Sequence, residues 1–322
     1  MEHYVGVDIG GTNIVCGLTD GTGNVLKTSK MATESGKGSA HVVRRIGEAI
    51  SQLAKEAGVS VKAVGIGVPG FVDHKQGISV LAVNLGWKDL PLADNVSREL
   101  DGIPVFVNND VRMYTYGEAV AGAGRGYSHV LGITLGTGLA AAMINDGQLY
   151  YGAGGRAGEL GHIGMENIPY RCNCGLTGCL ETAVSASGIA RQAKEAVAQG
   201  KQTLLAQLFP GEQLDRLTAA DVSRAYDQGD AVAREIMEHT GKLLGKGLAS
   251  AITLFSPDVI VIGGGAALAG DRLFRPMREE LERSALDFYW KDLHIKAAER
   301  NEDAGVVGSA LYAKERAEGQ QA

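Results

Sequence analysis

Tyr4-Val5-Gly6-Val7-Asp8-Ile9-Gly10-Gly11-Thr12 reads as an apolar strand running into a glycine turn. Val130-Leu131-Gly132-Ile133-Thr134-Leu135-Gly136-Thr137-Gly138 repeats the pattern. A shift of 126 residues lays Gly10 on Gly136 and Asp20-Gly21 on Asp146-Gly147. The order strand, glycine turn, strand, Asp-Gly turn therefore recurs, which points to duplicated halves with a ligand between them. Turns draw on a small vocabulary, so chance likeness over so short a segment is the competing reading.

Working outward, Val25-Leu26 follows the first Asp-Gly turn, and residues 42–57 carry apolar side chains at helical spacing. Residues 64–68 form a short buried strand ending at Pro69-Gly70. Val105-Phe106-Val107 is another strand, running into Asn108-Asn109-Asp110, with a helix over residues 111–123. Beyond the repeat, helical patterns cover residues 186–198 and 231–251. Val259-Ile260-Val261-Ile262 is a strand leading into Gly263-Gly264-Gly265, and a charged amphipathic helix follows over 273–284. The tail from Gly319 to Ala322 reads as frayed. Strands alternating with helices make this an α/β chain.

Its 322 residues favour two domains and bury a core without staples. With 31 basic and 37 acidic residues the net charge is −6, so nothing in the composition suggests a nucleic-acid or membrane partner. The longest uncharged stretch, residues 126–145, is broken by glycines and reads as strands and a turn, not a membrane span. The N-terminus lacks the layout of a signal peptide. Of the 4 cysteines, Cys172, Cys174 and Cys179 crowd together, which argues against a secreted disulfide framework and for the cytoplasm. The skew is 46 glycines against 7 prolines, a composition of tight turns and of backbone that approaches a ligand closely.

Gly10-Gly11-Thr12 at a strand end can present backbone N–H groups to an anion. No Gly-Lys-Ser/Thr follows, so it is not a Walker loop, and a strand rather than a helix comes next, so it is not a Rossmann fingerprint. Alone it could be a plain hairpin turn; paired with Gly136-Thr137-Gly138 it suits the phosphates of a nucleotide held between domains. Gly264 and Gly265 offer a further surface for a base or sugar, or only a strand-to-helix turn. Asp110 is placed either to cap the helix after it or to act as general base toward a substrate hydroxyl, with Asn108 and Asn109 as partners for hydroxyl-rich ligands. Three thiolates and an imidazole, Cys172, Cys174, Cys179 and His162, make a four-coordinate Cys3His zinc set with no open position for catalysis. The Cys-x-Cys gap is tighter than usual zinc spacing. Glu159 and Glu181 ride on that loop, as pocket carboxylates or as solvated surface groups.

Together these motifs resemble the ROK family (repressors, open reading frames and kinases) of bacterial sugar kinases, over essentially the whole chain. The stretch Gly158-Glu159-Leu160-Gly161-His162-Ile163 and the run from Cys172 to Glu181 carry the likeness most specifically. The resemblance implies a two-domain actin-like sugar-kinase (ribonuclease H-like) fold with ATP and sugar in an interdomain cleft. Residues 1–120 would form the smaller domain, completed by a C-terminal helix at about 306–322, and residues 121–305 the larger one with the zinc loop. Asp110 would be the catalytic base; Asn109, Glu159, His162 and Glu181 would hold sugar hydroxyls, with Gly70 and Asn84 lining the same pocket. His162 would serve zinc through one ring nitrogen and sugar through the other. Asp8 would help place Mg-ATP, with Gly10, Gly11, Thr12, Asn13, Gly136, Thr137, Gly138, Gly264 and Gly265 around the nucleotide. Asn13 departs from the lysine often found there. Family repressors carry a winged helix-turn-helix ahead of this body, for which a first strand at Tyr4 leaves no room. The expected activity is ATP- and Mg-dependent phosphorylation of a hexose 6-hydroxyl, glucose first. N-acetylmannosamine, allose, mannose or fructose are alternative substrates; a sugar-sensing regulator and an actin-type structural protein are rival classes. A homodimer or dimer of dimers is the expected assembly.

Overall fold

The computed structural model describes residues 2–319. Strands β1 (His3–Ile9), β2 (Asn13–Asp20), β3 (Val25–Ala32), β4 (Val61–Val68) and β8 (Val105–Asn109) form a sheet of order β3-β2-β1-β4-β8. Between β4 and β8, β5 (Phe71–Asp73), β6 (Ile78–Ala82) and β7 (Trp87–Leu90) make a separate three-stranded antiparallel sheet. Strands β9 (His129–Leu135), β10 (Leu139–Asn145), β11 (Gln148–Leu149), β12 (Val259–Gly263) and β13 (His294–Ala297) repeat the first order as β11-β10-β9-β12-β13.

The repeat extends to sense and register. β2 is antiparallel to β1, while β4 and β8 run parallel to it. In the second sheet β12 is parallel to β9, and β13 to β12. The 126-residue shift lays the start of β2 at Asn13 on the start of β10 at Leu139. The two turns close differently: Gly10 N–H reaches Asn13 O, three residues on, at 2.9 Å, and Gly136 N–H reaches Gly138 O, two residues on, at 3.0 Å. The Asp-Gly turns recur in position and differ in form. Asp146 and Gly147 both have positive φ, the two-residue hairpin conformation, whereas Asp20 closes a longer loop by accepting N–H bonds from Thr22 and Asn24.

Contacts divide the chain into two compact units: Met1–Ser128, Ala142–Ala157 and Ala298–Ala322 form one, His129–Ala141 and Gly158–Ala297 the other. In the first unit, strand alternation sends Val5, Val7 and Ile9 into a core with Val42, Ile46 and Ile50 of helix α1 (Ser39–Ala57). The opposite face of β1 and β4 carries Gly6 and Gly65. A methyl group there would lie 1.8 Å from the carbonyl oxygens of Val306 and Ser309 respectively. Those oxygens belong to a C-terminal helix, Ala304–Gly319, which lies on this face backbone to backbone. Gly308 of that helix meets Met113 in helix α2 (Asp110–Ala121) with the same 1.8 Å restriction. Gly319 closes the C-terminal helix; the rest of the tail expected to fray lies outside the described residues.

The second unit packs Leu131, Ile133, Leu135, Ile260 and Ile262 against helices α3 (Ala186–Ala198), α4 (Ala231–Phe255) and α5 (Asp271–Ser284). Pro276 sits inside α5, where its ring meets the bare face of Gly241 on α4. The C-terminal helix, Ala304–Gly319, is numbered α6 below.

Candidate active site

In the first unit three parallel strands end side by side. Asp8 of β1 pairs with Gly67 of β4, and Gly67 with Asn108 of β8, so Asp8, Asn109 and Asp110 gather at one carboxyl edge. Gly67 has no side chain to separate them: a methyl group on it would stand 3.3 Å from the Asp110 Cα. The cap of α2 is Asn109, whose Oδ1 accepts the Arg112 N–H at 3.2 Å. Asp110 is therefore the first residue inside the helix, and the capping alternative falls to its neighbour. Its carboxylate accepts its next neighbour's N–H, from Val111, at 2.9 Å.

Burial pushes the Asp110 carboxyl above its ordinary pKa. Burial, and then the charge of Asp110, push Asp8 up to about 7. The Asp8 carboxylate lies against the start of α6, where a methyl on Gly305 would come within 2.9 Å of Oδ2. A buried carboxyl whose proton affinity is raised by burial and by a second carboxylate beside it forms a ready place for a cation. Asn109 Nδ2 donates to Gly70 O at 3.1 Å. Gly70 has φ +89°, and a methyl on it would stand 2.1 Å from Leu81 O, so glycine is required there. Asn84, on the turn between β6 and β7, is exposed and has Gly11 as its neighbour across the chain. The Gly10–Asn13 turn is fixed from outside: Thr33 Oγ1 donates to Gly10 O at 2.7 Å and Thr33 N–H to Thr12 O at 2.8 Å.

The second unit holds the matching turn. Gly136 O accepts the Ala186 N–H at 2.9 Å, and Thr137 O accepts the Ser187 hydroxyl at 2.5 Å. A side chain at Gly136 or Gly265 would meet open space. Gly264 differs: with φ +89° and Leu135 O 2.6 Å from a would-be methyl, its glycine serves the packing of β9 against β12 whatever binds nearby.

Near the second turn, His162, Cys172, Cys174 and Cys179 bring their donor atoms within 4.8 Å of one another. Cys172 Sγ is 3.7 Å from His162 Nδ1, and Cys174 Sγ is 3.6 Å from Cys179 Sγ. Zinc–sulfur bonds of about 2.3 Å at tetrahedral angles place sulfurs about 3.8 Å apart, so the donor set fits that ion. Nδ1 faces the sulfurs, leaving Nε2 beside Glu159 Oε2 at 3.7 Å. Glu181 bridges this loop to the glycine turn. Oε1 accepts from the Cys172 thiol at 3.0 Å, and Oε2 from the Leu139 N–H at 3.3 Å. Gly138 and Gly161 permit it, since methyls there would strike Glu181 Oε2 at 2.6 Å and Leu139 O at 2.2 Å. The fourth cysteine, Cys16, is buried in β2, its thiol pushed up to about 12 by burial, and takes no part.

The ROK family profile matches residues 4–316. The chain belongs to the ROK family. A glucokinase of Halalkalibacterium halodurans is 37% identical over 319 residues, covering 97% of this chain and 95% of that one. The crystal structure of a Streptomyces griseus ROK family glucokinase with glucose and AMPPNP is 35% identical, with a TM-score of 0.81 over 97% of this chain and 99% of that one. A xylose repressor of Caldicellulosiruptor bescii is 28% identical and covers 96% of this chain, which spans 77% of the repressor. The fold of this ROK protein is the actin-like sugar-kinase fold.

Sequence reasoning missed several supports of the ROK site. Thr33 gives no motif signal. Asn108, expected beside Asn109 as a partner for hydroxyl-rich ligands, is instead fully buried, with Oδ1 accepting the Asn109 N–H at 2.9 Å and Nδ2 donating to the Tyr151 hydroxyl at 2.8 Å. Arg112 is buried two residues after Asp110 and donates to Gly155 O at 2.6 Å. A buried arginine one half-turn into a helix is a signal that could have been read.

Proposed function

We infer that the chain is a glucokinase, transferring the γ-phosphoryl of ATP to the 6-hydroxyl of glucose. The end-to-end match to a glucokinase at 37% identity carries the reading. The strand-end carboxylates give it chemistry. Asp110 takes the hydroxyl proton as the oxygen attacks phosphorus; burial raises its proton affinity, which suits a base that must hold a proton in the transition state. Asn109, locked by Gly70 O and the Arg112 N–H, holds a sugar hydroxyl beside it. Gly70 and Asn84 line the sugar site, with Glu159, Glu181 and His162 Nε2 as further hydroxyl partners.

Asp8 would help place Mg-ATP, whose metal would supply neutralisation of phosphate charge. Gly10, Gly11, Thr12 and Asn13 take one part of the nucleotide's phosphates, and Gly136, Thr137 and Gly138 the other, with Gly264 and Gly265 at the base or ribose. His162, Cys172, Cys174 and Cys179 hold a structural zinc that fixes Glu159 and Glu181. We place the enzyme in the cytoplasm, where ATP is available, as a homodimer or dimer of dimers. Among the described residues no helix is long and apolar enough to cross a membrane.

The repressor match favours one second reading, a sugar-responsive regulator. Binding alone has no use for a base at Asp110. A coupled ADP-release assay over glucose, mannose, fructose, allose and N-acetylmannosamine tests both. Turnover highest on glucose is expected; sugar binding without ADP release on any of the five would establish the regulator instead.

A further inference from the structure

A pocket of about 720 Å³ in the first unit contains none of the residues assigned above to sugar or nucleotide. Phe71, Val72, Asp73, His74, Lys75 and Val80 of the small sheet form one wall, and the loop from Tyr151 to Arg156 the other. Its volume lies in the range of small-ligand sites. Lys75 and Arg156 are exposed, and among the described residues neither side chain has a hydrogen-bond or ion-pair partner. Arg112, beneath them, is committed to the carbonyls of Gly155 and Ala157. Burial and then the Arg112 charge hold His74 below its ordinary pKa, with Lys75 and Arg316 adding to the same effect against Asp73. Burial and the neighbouring cations thus favour the neutral form of this imidazole.

We propose that this pocket binds a hexose phosphate, the product class of the reaction, and that its occupancy lowers turnover. The ligand's identity rests on the glucokinase reading. Lys75 and Arg156 pair with the phosphate. Phe71, 53% exposed despite its size, offers an apolar face for the C–H side of a sugar ring, and Asp73 accepts from sugar hydroxyls. Gly152, Gly154 and Gly155, all at positive φ, let the loop backbone approach the ligand without side chains between.

The coupling is short. His74 stacks on Tyr151 with ring centroids 3.8 Å apart and planes 4° from parallel. The Tyr151 hydroxyl accepts from Asn108, whose Oδ1 holds the Asn109 N–H next to Asp110. A ligand that binds one arrangement of the His74–Tyr151 pair better shifts the strand end with it.

Calorimetry on the full, zinc-replete chain with glucose 6-phosphate tests the site, with inorganic phosphate as control. Binding should persist under saturating glucose, and inhibition should not be competitive with glucose. Lys75→Ala with Arg156→Ala should weaken that binding at least about tenfold while leaving kcat and glucose KM unchanged in the absence of product. Lys75→Arg with Arg156→Lys should retain it. Equal affinity in the alanine variant, inhibition purely competitive with glucose, or inorganic phosphate binding as tightly as the sugar phosphate would each overturn the proposal. Failure of the glucokinase reading shows separately, as absence of glucose-dependent ADP release, since calorimetric binding needs no turnover.

Discussion

Asp8 and Asp110 sit at the ends of strands separated by one bare glycine, and each has its proton affinity raised. Asp110→Asn keeps the oxygen that accepts the Val111 N–H and cannot take a proton. Its turnover should fall by ~10²–10⁴-fold with sugar binding retained, measured by coupled ADP release and calorimetry. Near-normal turnover would remove Asp110 from the mechanism. Asp8 makes a separate prediction. Its folded pKa, about 7, lies above the unfolded value, so its contribution to stability is complete at low pH and is lost as pH rises through about 7. The thermal midpoint of the nucleotide-free protein should therefore fall over that window. Asp8→Asn should flatten the fall and raise the KM for Mg-ATP; an unaltered slope would show that the strain lies elsewhere. At this scale the sequence was readable for position: Asp110 stands at the strand-end edge and the Cys3His donors cluster, as their residue types and spacing suggested. It was silent where backbone atoms do the binding, as at Thr33 and the Gly70 carbonyl, because any small hydroxyl or any carbonyl looks alike in a sequence.

The elements are joined by glycine where others would use side chains. Gly308→Ala would drive a methyl into Met113 O, which stands 1.8 Å away on α2, so the helices must separate. Overpacking of this kind typically costs about 1–3 kcal/mol and here should reach or exceed the top of that range. Urea unfolding should show it, with Gly36→Ala, which meets open space, as the neutral comparison. The strong patterns located their elements well: the α3 helix at residues 186–198 and the strand at 259–262 stand where periodicity placed them. The small sheet β5-β6-β7 and the helix Leu92–Glu99 were not legible. Their strands run only three to five residues, too few to show alternation, and Phe71, Val80 and Leu81 stay exposed, so they carry no burial signal. Helix α4 runs on to Phe255, past the expected end near 251, because Ser256 in the left-handed conformation stops it.

Across the molecule, the duplicated sheet order was visible from two short strings, since Gly10 and Gly136 each follow the first strand of their sheet. The second unit holds the Cys3His cluster, and Glu181 ties that cluster to the Leu139 N–H. Cys179→Ser should lower zinc content and weaken sugar affinity together, with the KM for ATP less affected. Elemental analysis beside steady-state kinetics checks it; fully active protein with well under one zinc per chain would overturn the assignment. The glycine seam under α6 has a consequence for biosynthesis. Residues 129–141 and 158–297 leave the ribosome as a nearly continuous block and can close their own core. The sheet of β1 and β4, made far earlier, has one face that Ala304–Gly319 covers beside α2, and that helix is translated after the strands of both sheets. An early part of the nascent chain is thus finished late. While synthesis lasts it shows Tyr4, Ala63 and a row of bare glycine backbone to chaperones and proteases.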